Sequence, residues 1–123
     1  MTGAELVERA EAAAANAYAP YSRYHVGASL LTVDGRVFDG VNVENAAYPL
    51  GVCAEKSAIA AAANAGVRPG DVEAIGITAS PCGGCRQWLH EWRIGRVTFR
   101  RGDGTIVEYR ADELLPDTWD LPE

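Results

Sequence analysis

Cys82-Gly83-Gly84-Cys85 sets two thiols apart by a pair of glycines. Such a pair can hold one metal ion, because the glycines let the backbone fold tightly beneath it. Taken alone, the pair also suits a thioredoxin-like redox module, which likewise opens a helix after a strand. Cys53-Ala54-Glu55 changes the weighting, since it places a carboxylate two residues after a third thiol and redox exchange has no use for that arrangement. A zinc ion with three protein ligands keeps its fourth tetrahedral position for water, the pattern of a catalytic rather than a closed structural site. A carboxylate beside that water can accept its proton and pass it to a departing group, which makes Glu55 the expected proton shuttle. An unselected glutamate in a first helical turn is ordinarily a solvated group favoured by the helix dipole, and the spacing from Cys53 is what sets Glu55 apart. Three thiolates leave a divalent ion with net negative charge, so compensation is expected from two helix N-termini and from Lys56 and Arg86, which follow the ligand-bearing motifs. For Lys56 a plain surface cation is an equally open reading.

These residues need elements to bring them together. Residues 2 to 17 place Leu6, Ala10, Ala13, Ala14 and Ala17 on one helical face, with Thr2 as N-cap and Glu5 three positions on. HVGASLLTV and RVFDGVNV flank Asp34-Gly35 and read as a hairpin, which puts Asn42 and Glu44 at a strand end. AEKSAIAAAANAG reads as a helix stopped by Gly66, so Cys53 and Glu55 fall at its start. VEAIGITA suits a buried central strand, and CGGCRQWLHEW a helix opened by Cys82 and Cys85. RVTFR and TIVEYR form a last strand pair, and ADELLP a short terminal helix interrupted at Pro116. The expected order is αββαβαββ, an α/β layered fold in which both cysteine-bearing helices start at one end of the sheet.

The 123 residues suit a single domain spanning 1–123, and 48% hydrophobic with 23% charged residues argues against disorder. A net charge of −6 opposes a phosphate backbone, so nucleic acid is not an expected partner. Arg93, Arg96, Arg100 and Arg101 interleave with apolar residues and read as a solvated strand face. No apolar run approaches the roughly 20 residues of a membrane span, and the acidic start resembles no targeting segment. Three cysteines, an odd number, imply reduced thiols and a cytoplasmic location. His25 reads as a strand histidine and His90 as a helix-surface one, while Trp88 and Trp92 share a helical face suited to packing.

Four blocks, YSRYHVGA (21–28), GVNVENAAY (40–48), VCAEKSAI (52–59) and SPCGGCRQWL (80–89), resemble the tetrameric cytidine deaminase family. The resemblance implies a three-layer α/β/α fold with a mixed, about five-stranded sheet. It implies one zinc per chain on Cys53, Cys82 and Cys85, with Glu55 moving protons during hydrolytic deamination of cytidine or 2′-deoxycytidine to the uracil nucleoside and ammonia, a pyrimidine-salvage reaction. It further implies pyrimidine contact by the Ala54 backbone, a substrate-binding place for Tyr24, and a ribose hydroxyl held by Asn42 and Glu44. Ala46 and Tyr48 are implied to serve a neighbouring subunit's ribose in a homotetramer, and Trp119, following LLP, to stack on the base. Tyr24 stands where the family commonly has phenylalanine, Lys56 where it has arginine, and Gly84 where it has alanine. A deaminase of a modified cytosine nucleoside such as blasticidin S, and a noncatalytic zinc-binding or thiol-redox module, are the alternatives.

Overall fold

Thr2 starts the first helix as a reciprocal cap, its hydroxyl accepting the Glu5 N–H at 3.1 Å while the Glu5 carboxylate accepts the Thr2 N–H at 2.9 Å. The computed structural model describes residues 1–120. Helix α1 covers Gly3–Ala13 and tightens into a 3₁₀ turn over Ala14–Asn16, short of the helix expected to residue 17. The cause is tertiary competition. The Tyr18 N–H donates to the Asn42 carbonyl at 3.0 Å, and His25 Nδ1 meets the Ala14 carbonyl at 3.2 Å. That contact also places His25 in the segment before the strand rather than within it.

Strands β1 (Gly27–Thr32) and β2 (Val37–Val41) form the expected hairpin around Asp34-Gly35, where Gly35 takes φ 92°. Helix α2 (Ala54–Asn64) draws its helicity from alanine and ends as expected at Gly66, φ 94°. There the N–H groups of Gly66 and Val67 close back on the carbonyls of Ala63 and Ala62, both at 3.0 Å. Strand β3 (Val72–Ile77), helix α3 (Gly83–Glu91), strands β4 (Arg96–Arg100) and β5 (Ile106–Tyr109), and helix α4 (Ala111–Leu114) follow.

The sheet order is β2-β1-β3-β4-β5, with β3 and β4 parallel and the other pairs antiparallel. The mixed five-stranded sheet with helices bears out the expected α/β architecture. One face buries Leu30, Ile75, Ile77 and Val97 with Ile59 of α2 and Leu89 of α3, while Leu31 and Ala74 meet Leu6 of α1 on the other. The alternation of these side chains along β1 and β3 is the period-two signature of a sheet covered on both sides. Trp92 joins the core, whereas Trp88 on the same helix stays exposed. Arg96 and Arg100 of β4 are ion-paired, to Glu73 and Glu11 at 3.4 and 2.7 Å, so these two of the four arginines form a compensated strand face, while Arg93 and Arg101 lie outside the strand. No helix among the described residues is long and apolar enough to cross a membrane.

β2 lies close against α2 because Gly40 has no side chain. A Cβ there would fall 2.2 Å from the Ala58 nitrogen and 2.5 Å from the Ala54 carbonyl oxygen. Gly40→Ala is therefore expected to lower unfolding free energy by about 1 to 3 kcal/mol, seen as an earlier urea midpoint at unchanged slope. An unshifted midpoint would contradict this close packing.

Candidate active site

β1 runs antiparallel to both β2 and β3, so those two strands end at the same edge of the sheet. The chain leaving β2 reaches α2, and the chain leaving β3 reaches α3. Both helices consequently begin there. Cys53 is the N-cap of α2 and Cys82 the N-cap of α3, each with extended backbone, and the Cys85 N–H donates to Cys82 Sγ at 3.4 Å. The three sulfurs lie within 4.8 Å of one another. A tetrahedral ion with bonds of about 2.3 Å spaces its sulfurs by about 3.8 Å, so the donor set fits zinc in number, type and separation. Cys85 is buried, Cys53 half-buried and Cys82 exposed.

Burial pushes the Cys85 thiol far up, aided by the charges of Glu55 and Cys53, and burial likewise raises Cys53. At Cys82 burial acts in the same direction, but N–H groups of Cys85 and Gly84 and the neighbouring thiols outweigh it and lower the thiol. Glu55, 4% exposed on the first turn of α2, is raised by burial against the opposing pull of its own N–H, the Cys85 thiol and Lys56. A cation at the sulfurs relieves this crowding of incipient negative charge. Lys56 Nζ stands near the same helix entrance: a Cβ built on Gly84 would lie 3.9 Å from both Lys56 Nζ and Cys82 Sγ. Arg86 points elsewhere. Its Nε donates to the Pro81 carbonyl at 2.9 Å and its Nη1 to the Leu114 carbonyl at 3.1 Å, tying the loop before Cys82 to the end of α4.

A cavity of about 280 Å³ opens over this cluster, lined by Cys53, Ala54, Glu55 and Cys82 and by Tyr24, Asn42 and Glu44. Val26, Ile77, Ala79, Ser80 and Ser22 complete the lining. Sequence reasoning did not single these out, although each lies in or beside a quoted block. Asn42 accepts the Val26 N–H at 2.9 Å through Oδ1 and donates to the Tyr24 carbonyl at 2.8 Å through Nδ2. Glu44 Oε1 accepts the N–H groups of Tyr21 and Ser22 at 3.0 and 3.1 Å, and Oε2 accepts the Ser22 hydroxyl. The Ser22 bonds hold the Glu44 carboxyl below its ordinary range. Both side chains therefore shape the 21–26 segment as well as facing the cavity.

Ala46, Tyr48 and Trp119 do not line this cavity within the chain. Tyr48 is 76% exposed, packs edge-on to Tyr21 at 6.2 Å, and lines an adjoining hollow that shares Ser22 and Glu44. Trp119 is 69% exposed, and its neighbour Asp120 pairs with His90 at 2.8 Å at the far end of α3.

A family model described as the cytidine and deoxycytidylate deaminase zinc-binding region matches residues 2–101. A cytidine deaminase of Halalkalibacterium halodurans is 43% identical over 119 residues, covering 90% of this chain and 89% of that one. A cytidine deaminase of Mycobacterium tuberculosis is 40% identical over 115 residues, covering 90% and 84%. The crystal structure of cytidine deaminase from Burkholderia pseudomallei superposes with a TM-score of 0.90 at 43% identity, covering 97% of this chain and 100% of that one. That of the Mycobacterium tuberculosis enzyme gives 0.83 at 37%, covering 98% and 99%. With the thiol cluster and buried glutamate in place, these likenesses show that the chain belongs to the zinc-binding cytidine and deoxycytidylate deaminase family.

Proposed function

We propose that this chain hydrolyses the exocyclic amine of free cytidine or 2′-deoxycytidine, giving the uracil nucleoside and ammonia. The observation that carries this reading is Glu55, a buried carboxylate next to three converging thiols in the lining of a cavity open to solvent. Cys53, Cys82 and Cys85 would hold zinc, which would supply the Lewis acidity that makes a water nucleophilic near neutral pH.

Glu55 takes one proton from the attacking water and passes it to the ring nitrogen beside the amine-bearing carbon, then takes the second proton from the newly added hydroxyl and delivers it to the amine as that carbon–nitrogen bond breaks and the carbonyl forms. The overall balance is nucleoside plus water in, deaminated nucleoside plus ammonia out. The position of Ala54 at the helix start and in the cavity lining supports contact of its backbone with the ring. The apolar wall of Val26 and Ile77 excludes water around it. From the lining, Asn42 and Glu44 offer an amide and a carboxylate to a sugar hydroxyl, and Tyr24 covers the ring side. Among the described residues no lysine or arginine lines the cavity, so a phosphate on the sugar would find no countercharge in this lining, which favours a free nucleoside over a nucleotide or polynucleotide.

Lys56 supplies positive charge to the thiolates, and Arg86 supports the cysteine loop through the carbonyls it binds. The chain acts as one catalytic domain in a homotetramer in which Ala46, Tyr48 and Trp119 complete a neighbour's site. The exposure of Tyr48 and Trp119, and of Leu50 at 69% two residues beyond Tyr48, supports that arrangement. Free thiols support a reducing, cytoplasmic location.

Glu55→Gln is expected to keep its fold and its metal, about one zinc per chain by elemental analysis, while ammonia release from cytidine falls by roughly 10² to 10⁴-fold. Undiminished turnover would refute the proton-shuttle role. Cys85→Ser is expected to lose zinc and activity together, and an active, metal-free preparation would reject the metal assignment. A panel of cytidine, 2′-deoxycytidine, cytidine monophosphate and blasticidin S, scored by ammonia release, tests the substrate class: faster turnover of the last two would overturn it.

A further inference from the structure

Ser22 is a serine for which the chemistry above has assigned no role, yet both functions of its hydroxyl are in use. It donates to Glu44 Oε2, and its oxygen accepts the Tyr24 N–H at 3.0 Å. Its own N–H, with that of Tyr21, occupies Glu44 Oε1. A carboxylate offers about four lone-pair directions. Three are taken by this segment, and the free one lies on Oε2, the oxygen whose direction the Ser22 hydroxyl sets. Arg23, between Ser22 and Tyr24, holds φ 59°, a left-handed conformation that a non-glycine residue adopts only under constraint. The restraints on either side of it are the Ser22 bonds and the Asn42 amide, which grips the Tyr24 carbonyl and the Val26 N–H.

We propose that Ser22 is a positioning residue for sugar recognition: its hydroxyl aims the remaining acceptor of Glu44 at a nucleoside hydroxyl. This rests on the reading of Glu44 as a sugar-binding carboxylate. Because both cytidine and 2′-deoxycytidine are in the proposed substrate class, the hydroxyl concerned is one they share, at the 3′ or the 5′ position. Binding energy of this kind is felt equally by substrate and transition state, so its loss raises KM and spares kcat.

The zinc-loaded enzyme, its Ser22→Ala, Ser22→Thr and Glu44→Gln variants, and the substrates cytidine, 3′-deoxycytidine and 5′-deoxycytidine form the test. Glu44→Gln should raise KM for cytidine and be neutral, within about twofold, toward one of the two analogues, which identifies the hydroxyl. Ser22→Ala should raise KM for cytidine about 10-fold, the scale of one misdirected hydrogen bond to a charged group, with kcat within about twofold. Toward the analogue that Glu44→Gln does not distinguish, Ser22→Ala should change KM by less than about twofold. Ser22→Thr, which keeps the hydroxyl, should restore most of the cytidine KM. An equal rise for all substrates would assign Ser22 to holding the loop alone and overturn the proposal, as would an unchanged KM for cytidine. If Glu44→Gln discriminates between analogues while Ser22→Ala does not, only the Ser22 role fails. If Glu44→Gln discriminates between none, the sugar-binding reading of Glu44 fails and takes the Ser22 role with it.

Discussion

Three sulfurs within 4.8 Å of one another, and a carboxylate buried beside them, gather more incipient negative charge at one point than an apolar core tolerates. The surrounding architecture answers that concentration. Two helices begin at the cluster, each directing the partial positive charge of unpaired N–H groups toward it, and a divalent cation held by the three sulfurs would supply the remainder. Both helices can begin there only because β2 and β3 run the same way with β1 between them. The order of the sheet is thereby part of the electrostatics. So is the close approach of α2 to β2 at Gly40, which fixes where Cys53 and Glu55 stand relative to the edge.

Much of this was legible because it obeys local rules. The capping pair Thr2 and Glu5, the Asp34-Gly35 turn and the Gly66 stop each depend on neighbours within a few residues, and each formed as read. The two cysteine motifs were legible for the same reason: a helix start is a local event, and the strand order then brings the two starts together. The end of α1 was not legible, because alanine carries no stop signal and the termination depends on an Asn42 carbonyl far along the chain. His25 was assigned to a strand on composition alone, and the same long-range docking to Ala14 holds it outside.

Arg86 illustrates a different limit. A cation following a ligand motif invites a reading as countercharge, but a helical side chain leans toward the N-terminus of its helix, and from position 86 that direction leads to the Pro81 carbonyl. Ser22 had no signal in sequence because a hydroxyl acquires meaning only through its partner, and that partner is 22 residues away. Tyr48 and Trp119 stand exposed and line no part of the cavity over the thiols, and a sequence carries no measure of which exposed aromatic is later covered.

The clamp on the 21–26 segment grips the N–H groups of Tyr21, Ser22, Tyr24 and Val26, the carbonyl of Tyr24 and the Ser22 hydroxyl. None of these bonds involves the side chain at position 24. The ring there can consequently be exchanged, tyrosine for another aromatic, without releasing the wall that carries it. Rigidity and adaptability are assigned to different atoms of the same residue, so the surface this residue presents at the cavity is open to change by single substitutions while the path of the chain around it is not.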